Sequence, residues 1–266
     1  VTEKKDFKIL FLGDIVGRPG RRAVADLLPK IRKERGVNLV IANGENLAAG
    51  FGMTFSKYEE MSRAGVDVFT SGNHIWDKVE FIPYLNDEKT YVARPANYPE
   101  SAPGRGVIEL TVDGEKITIV NLIGRVFMKD EVEDPFTWGK GIAEKAAGSL
   151  IFVDFHAEAT SEKIALANYL DGFVSAVVGT HTHVQTADER ILGKGTAFIT
   201  DAGMCGAYDS VIGMDKEIII EKFLTQLSKS HKVASGDSIF NAVLVSIDRE
   251  TKKAITVERI SCVYPV

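Results

Sequence analysis

Apolar runs in this chain are short, and they repeatedly break off into small, polar or metal-ligating residues. KILFLGD, LVIANGEN, VDVFTSGNH, SLIFVDFH and FVSAVVGTHTH each carry a strand-length apolar stretch. They end at Asp14, at Glu45 and Asn46, at Asn73 and His74, at His156, and at His181 and His183. Helical patterns lie between them. After a strand at about 8–13 and a turn holding Gly17, Pro19 and Gly20, the spacing of Ala23, Leu27, Leu28 and Ile31 predicts a helix over about 20–35, stopped by Gly36. A strand at about 38–42, a helix at about 54–64 ending before Gly65, a strand at about 67–70 and a short helix at about 77–85 follow.

The middle changes character. GVIELTVDGEKITIVNL alternates on both sides of Asp113-Gly114, which predicts a hairpin. A polar loop is expected over about 124–140, ending in DPFTWGKG. Alternation then resumes with a strand at 150–155, a helix at 160–170 and a strand at 173–178. ERILGKGTAFITDAG reads as a hairpin, 215–227 as a helix, and the tail from Ser238 as an antiparallel pair. Mixed strands with helices on outer faces predict an α/β fold of two stacked sheets flanked by helices.

Composition narrows the function. The chain has 266 residues, 45% hydrophobic, with a net charge of −5, so a sizeable core is possible and a duplex nucleic-acid binder is not expected. No apolar run is long enough to span a bilayer. The opening segment VTEKKDFK has no signal-like h-region. The two cysteines, Cys205 and Cys262, are expected as reduced thiols in a cytoplasmic protein.

An open α/β sheet binds ligands beyond the carboxyl ends of its strands, so all five segments could present their polar ends on one edge. Taken singly, each has a structural reading. Asp14 could cap a helix, Glu45-Asn46 and Asn73-His74 could be turn residues, and His156 could be a satisfied core histidine. Jointly, four of the five histidines at strand ends beside carboxylates point to a two-metal hydrolase. Phosphodiester hydrolysis needs the anion neutralised, a water ionised and an in-line attack fixed, and two cations about 3.5–4 Å apart do all three. Asp14, Glu45, Asn46, Asn73, His156, His181 and His183 supply the carboxylates, amides and imidazoles for such a site. This N/O set suits Fe, Mn or Zn. His74 neighbours a candidate ligand and carries the side chain that changes charge near neutral pH, so it is the candidate general acid. The fifth histidine, His231 in SKSHKVASG, follows no strand and is expected on the surface.

The order GD, GEN, GNH, H, GTHTH resembles the calcineurin-like metallophosphoesterase superfamily. It departs from the general pattern twice: Ile15 and Val16 follow Asp14 where a histidine is usual, and Asn43-Gly44-Glu45-Asn46 replaces GD-x-x-D. Those departures resemble one narrower family, the YmdB-type bacterial cyclic-nucleotide phosphodiesterases. Its likeness rests on GDIVGRPG, NGEN, SGNHIWDK, RPANYP, DFHAEATSEK, VVGTHTHVQTAD and GMCGAYDSVIGMD, from about residue 8 to about 260. Cys205 stands where that family usually has Thr, and it is expected near the pocket. The resemblance implies a four-layer α/β/β/α sandwich, one metallophosphoesterase domain over 1–266, and a dinuclear centre. One metal would take Asp14, Glu45, Asn46 and His183; the other would take Glu45, Asn73, His156 and His181. It also implies cyclic-nucleotide or other phosphodiester substrates and a homodimer or larger assembly, with no membrane partner. A phosphomonoesterase or nucleotidase, and a metal-bearing regulatory nucleotide binder without turnover, are the rival readings.

Other signals are weaker. Gly13, Gly17 and Gly20 do not have dinucleotide-fold spacing. Arg18, Arg94 and Arg125 are expected in surface or structural roles, and Trp76 and Trp138 in packing.

Overall fold

Alternation of strand and helix in the first third of the chain begins one sheet, which strands from the C-terminal part complete, and a second run of the same kind builds the inner strands of the other. The computed structural model describes residues 6–266; residues 1–5, which open the VTEKKDFK segment, lie outside it. In the first sheet β1 (Asp6–Leu12), β3 (Leu39–Asn43) and β4 (Val68–Thr70) run parallel. The long β12 (Ser238–Asp248) is antiparallel to β1 and pairs on its other edge with β13 (Ala254–Tyr264). Two short strands, β2 (Asp14–Ile15) and β11 (Met204–Ala207), extend the sheet beside the start of β12. The second sheet has the order β5 (Val107–Val112), β6 (Glu115–Ile123), β7 (Leu150–His156), β8 (Ala176–Thr180), β10 (Ala197–Ile199), β9 (Arg190–Ile191). Its four inner strands are parallel, and its two ends are antiparallel hairpin partners.

Successive side chains of a strand point to opposite faces, and β1 is buried on both. Phe7, Ile9 and Phe11 face the second sheet, where they meet Ile117, Ile119, Phe152 and Val178. The Phe11 and Phe152 rings stack across the gap at 5.3 Å. Leu10 and Leu12 face the other way, onto Val24 and Leu28 of α1 (Gly17–Arg35) and Met61 of α2 (Phe55–Ala64). The outer face of the second sheet, with Leu122, Val153 and Val177, is covered by Ala143 of α4 (Pro135–Lys145) and Leu166 of α5 (Thr160–Tyr169). The layering is therefore α/β/β/α, as expected. A 3-10 turn at Val79–Phe81, a short α3 (Ile82–Leu85) and α6 (Lys216–Thr225) complete the elements.

Three details differ from the sequence expectation. Helix α1 starts at Gly17 rather than near Gly20, because Pro19 falls in the first turn, where its missing N–H costs nothing. The loop expected over 124–140 is interrupted by α4. Asp134 caps that helix by accepting from Phe136 N and Thr137 N, and Pro135 begins it. Gly139 and Gly141 masked the helix, yet Gly139 lets it settle on the sheet: a Cβ there would meet Leu122 at 3.0 Å. The strand expected at 173–178 lies at 176–180, so its last residue reaches the site. Trp76 and Trp138 are half-buried against the cores, as expected. Arg94 is buried and donates to Pro95 O, whereas Arg18 and Arg125 are exposed. Among the described residues no helix is long and apolar enough to cross a membrane.

Gly20 explains its own place in the glycine-rich turn. A Cβ there would stand 2.1 Å from Cys205 O of β11. Gly20→Ala is expected to force α1 off that strand and cost on the order of 1–3 kcal/mol, read from the midpoint of denaturant unfolding.

Candidate metal centre

Each candidate ligand sits at or just beyond the carboxyl end of a strand, and the two sheets bring these ends to one edge. The first sheet contributes Asp14 after β1, Glu45 and Asn46 after β3, and Asn73 and His74 after β4. The second contributes His156, the last residue of β7, and His181 and His183 just past β8. The structure brings all of them together. His156 Nε2 lies 3.2 Å from Glu45 Oε1, 3.2 Å from Asn73 Oδ1 and 3.0 Å from His181 Nδ1. Ligand atoms of Glu45, His156 and His181 all lie within 4.8 Å of one another. On the other side, Asp14 Oδ1 is 3.9 Å from His183 Nε2 and 4.0 Å from His156 Nδ1. Asn46 Nδ2 donates to Gly50 O at 3.0 Å, which fixes the amide. Asp14 Oδ1 and Asn46 Oδ1 are buried, and among the described residues neither has a hydrogen-bond partner. Gly72 makes the approach possible: a Cβ there would fall 2.3 Å from His156 Nε2 and 2.4 Å from Glu45 Oε2.

The outward nitrogen of each imidazole is engaged, which turns the other nitrogen toward the centre of the site. Thr180 Oγ1 donates to Asp154 Oδ1 at 2.7 Å, so its oxygen accepts from His156 Nδ1 at 3.0 Å. His181 Nε2 faces Glu158 Oε2 at 3.1 Å, and His183 Nδ1 donates to Ile212 O at 2.9 Å. Buried acceptors that have no donor among the described residues, and imidazole nitrogens turned to the same centre, suit a cation, so the donor set fits a metal site.

Charge in this site is costly. Burial pushes the Asp14 carboxyl up to about 6, although His183 and His156 pull it down. Burial also works against Glu45, yet the His156 charge and hydrogen bond, with His74, take it down to about 2. His156 is buried too, but Glu45, Asp14 and Asp154 raise it to about 9. Burial and the neighbouring His156 drive His181 down to about 3, the neutral form a metal ligand needs. The cluster thus demands positive charge at its centre.

His74 sits at the rim. Its backbone N–H donates to Glu45 Oε2 at 3.2 Å, and its Nδ1 is 2.8 Å from Asp77 Oδ2. It lines a cavity of about 280 Å³ whose floor holds Glu45, Asn46, His181 and His183. Phe51, Ile212, Phe223 and His231 stand in its walls. His231 is exposed, as expected, but it belongs to this wall: its ring stacks on Phe51 at 5.7 Å. Cys205 is not at the pocket. It lies in the first sheet's helix-side core, with its thiol pushed up by burial to about 12. Sequence reasoning missed Asp77, Glu158 and Thr180, the outer partners of the imidazoles, and Asp154, which holds Thr180. Only the position of Thr180 beside His181 hinted at any of them.

Thr180→Val keeps the shape of the side chain and removes the acceptor that orients His156. The expected result is a folded protein whose Mn2+ affinity falls roughly 10–100-fold, read by calorimetry on chelator-stripped samples.

Known proteins resemble this chain over nearly its whole length. Residues 10–260 match the family model for YmdB-like proteins. A 2′,3′-cyclic-nucleotide 2′-phosphodiesterase from Bacillus subtilis is 48% identical over 255 residues, covering 95% of this chain and 96% of that protein. A crystal structure of a novel phosphatase from Mycoplasma pneumoniae superposes with a TM-score of 0.92 at 37% identity, covering 98% of this chain and 94% of that one. A hypothetical protein from Thermus thermophilus does so with a TM-score of 0.92 at 42% identity, covering 97% and 100%. A Haemophilus influenzae NAD nucleotidase, 16% identical with a TM-score of 0.62, shares the fold over 98% of this chain and 56% of its own. With the family model spanning the strand ends that carry every candidate ligand, the chain belongs to the YmdB-like family.

Proposed function

We propose that this chain is a dinuclear metal-dependent phosphodiesterase acting on cyclic nucleotides, 2′,3′- or 3′,5′-cyclic, and on generic phosphodiesters. The carrying observation is the convergence of Asp14, Glu45, Asn46, Asn73, His156, His181 and His183 from two sheets, with the buried acceptors Asp14 Oδ1 and Asn46 Oδ1 without donors among the described residues. In this reading Asp14, Glu45, Asn46 and His183 hold one cation, and Glu45, Asn73, His156 and His181 the other. Bound there, a pair of Fe, Mn or Zn ions would neutralise the phosphodiester and lower the pKa of the attacking water.

The chain's own residues do the rest. Thr180, Glu158 and the Ile212 carbonyl hold the three imidazoles in position. Asp77 fixes the His74 ring through Nδ1, which leaves Nε2 to donate a proton to the departing ribose oxygen. The walls formed by Phe51, Ile212 and Phe223 give the nucleoside an apolar surface and keep water off it. The name of the Bacillus subtilis relative supports the cyclic-nucleotide class. A homo-oligomer and a cytoplasmic site of action complete the reading. The apolar side chains Ile220, Phe223, Leu224 and Leu227, exposed along and just beyond α6, support the first. The free thiols Cys205 and Cys262 suit a reducing compartment.

Anaerobic purification, elemental analysis and a cyclic-nucleotide panel test the proposal together; two metals per chain with cleavage are expected. Bis-p-nitrophenyl phosphate should turn over faster than p-nitrophenyl phosphate, and the reverse order would make the protein a phosphomonoesterase. Metal-loaded protein that binds cyclic nucleotide and leaves it intact for hours would make it a regulatory binder. His74→Ala is expected to retain both metals and lose roughly 10²–10⁴ in turnover. Loss of metal in that variant would reassign His74 as a ligand.

A further inference from the structure

The segment DFHAEATSEK delivers His156 at the end of β7, and the fold then buries a lysine from the same segment, Lys163, in the first turns of α5. A lysine buried to 1% exposure is retained only where its charge is matched. Its partner is Asp201, also buried, at 2.7 Å. Neither residue lines the cavity beside the candidate metal centre.

Both instead grip the loop that carries two of the candidate ligands. Lys163 Nζ donates to Thr180 O at 2.7 Å, one residue before His181. Asp201 Oδ2 accepts from Thr182 N at 3.1 Å and from Thr182 Oγ1 at 2.7 Å, between His181 and His183. Asp201 Oδ1 accepts from Gly203 N at 2.8 Å, which fixes the carboxylate itself. The loop needs such a grip. His181 and His183 have φ of +98° and +65°, a region that side chains other than glycine enter at a cost, so the surrounding contacts must hold them there.

We infer that Asp201, with Lys163 as its buried counter-ion, is a positioning residue: it clamps Thr182 so that His181 and His183 meet the metal pair from one short loop. This rests on the metal reading proposed above. It also assigns a task to the second half of the DFHAEATSEK motif, which the chemistry of the site leaves unused.

The test uses full-length Thr182→Val, which removes the hydroxyl bond to Asp201, Thr182→Ser, which keeps it, and Asp201→Asn, which removes the charge. Hydrogen exchange of residues 180–184 in metal-free protein and calorimetric titration with Mn2+ are both measured. Thr182→Val and Asp201→Asn are expected to speed exchange in that segment while β6 and β7 stay protected, and to weaken Mn2+ binding roughly 10–100-fold, with Thr182→Ser close to wild type. Wild-type exchange and wild-type affinity in both Thr182→Val and Asp201→Asn would overturn the clamp. Should Asp201→Asn fail to fold, Thr182→Val alone decides. Wild-type protein that takes up no Mn2+, Fe2+ or Zn2+ would overturn the metal reading, and with it the role given to the clamp, whatever the exchange data show.

Discussion

Side chains from two different sheets can share a cation only if the sheets are locked in register at one edge, and buried amides supply that lock. Asn43, at the end of β3, donates to Ser71 O of its own sheet at 3.0 Å and to Asp154 Oδ2 of the other at 3.1 Å. Asn121 of β6 accepts from Ser71 N at 3.2 Å. All of these groups are buried. A buried polar group without its partner costs about 1–3 kcal/mol, so any slip of one sheet over the other breaks several bonds at once. The apolar contacts between the sheets, such as Phe11 on Phe152, are non-directional and would tolerate such a slip.

That lock sits directly beneath the candidate site and is continuous with it. Asp154 receives Asn43 on one oxygen and Thr180 on the other, and Thr180 in turn holds His156. The same residues that align the sheets therefore aim an imidazole. Burial then sharpens the electrostatics. Asp14 and Asp154 are pushed towards neutrality by desolvation, with Asp154 raised to about 7, while Glu45 stays ionised against His156. A fold that buries three carboxylates around imidazoles is arranged for cations, since no apolar filling of that space would satisfy them.

Much of this was legible in the sequence, for a physical reason. Strands buried on both faces must be nearly continuous apolar runs, so KILFLGD and SLIFVDFH mark both the strand and the point where it stops. Candidate ligands at strand ends inherit that legibility, and the strand-end positions of Asp14, Glu45, Asn73, His156 and His181 follow from it. Helix α4 was not, because Gly139 and Gly141 lower helix propensity, although close packing on the sheet accounts for glycine only at 139; Asp134-Pro135 alone signalled its start. The outer partners Asp77, Glu158 and Asp201 were hidden for a different reason. An acidic residue in a loop looks the same in sequence whether it is solvated or fixes an imidazole or a ligand loop. His231 shows the converse: its polar surroundings are real, and its place in the cavity wall comes from a ring contact with Phe51, far away in sequence.

The central claim is that two sheets hold a pair of cations between them. Anomalous scattering at the Fe, Mn and Zn edges, from crystals of anaerobically purified protein, tests it most directly. Two peaks about 3.5–4 Å apart are expected, one beside Asp14 and His183 and one beside Asn73, His156 and His181, with Glu45 between them. No peak at the carboxyl edge of the strands, or a lone peak away from Glu45, would contradict the account.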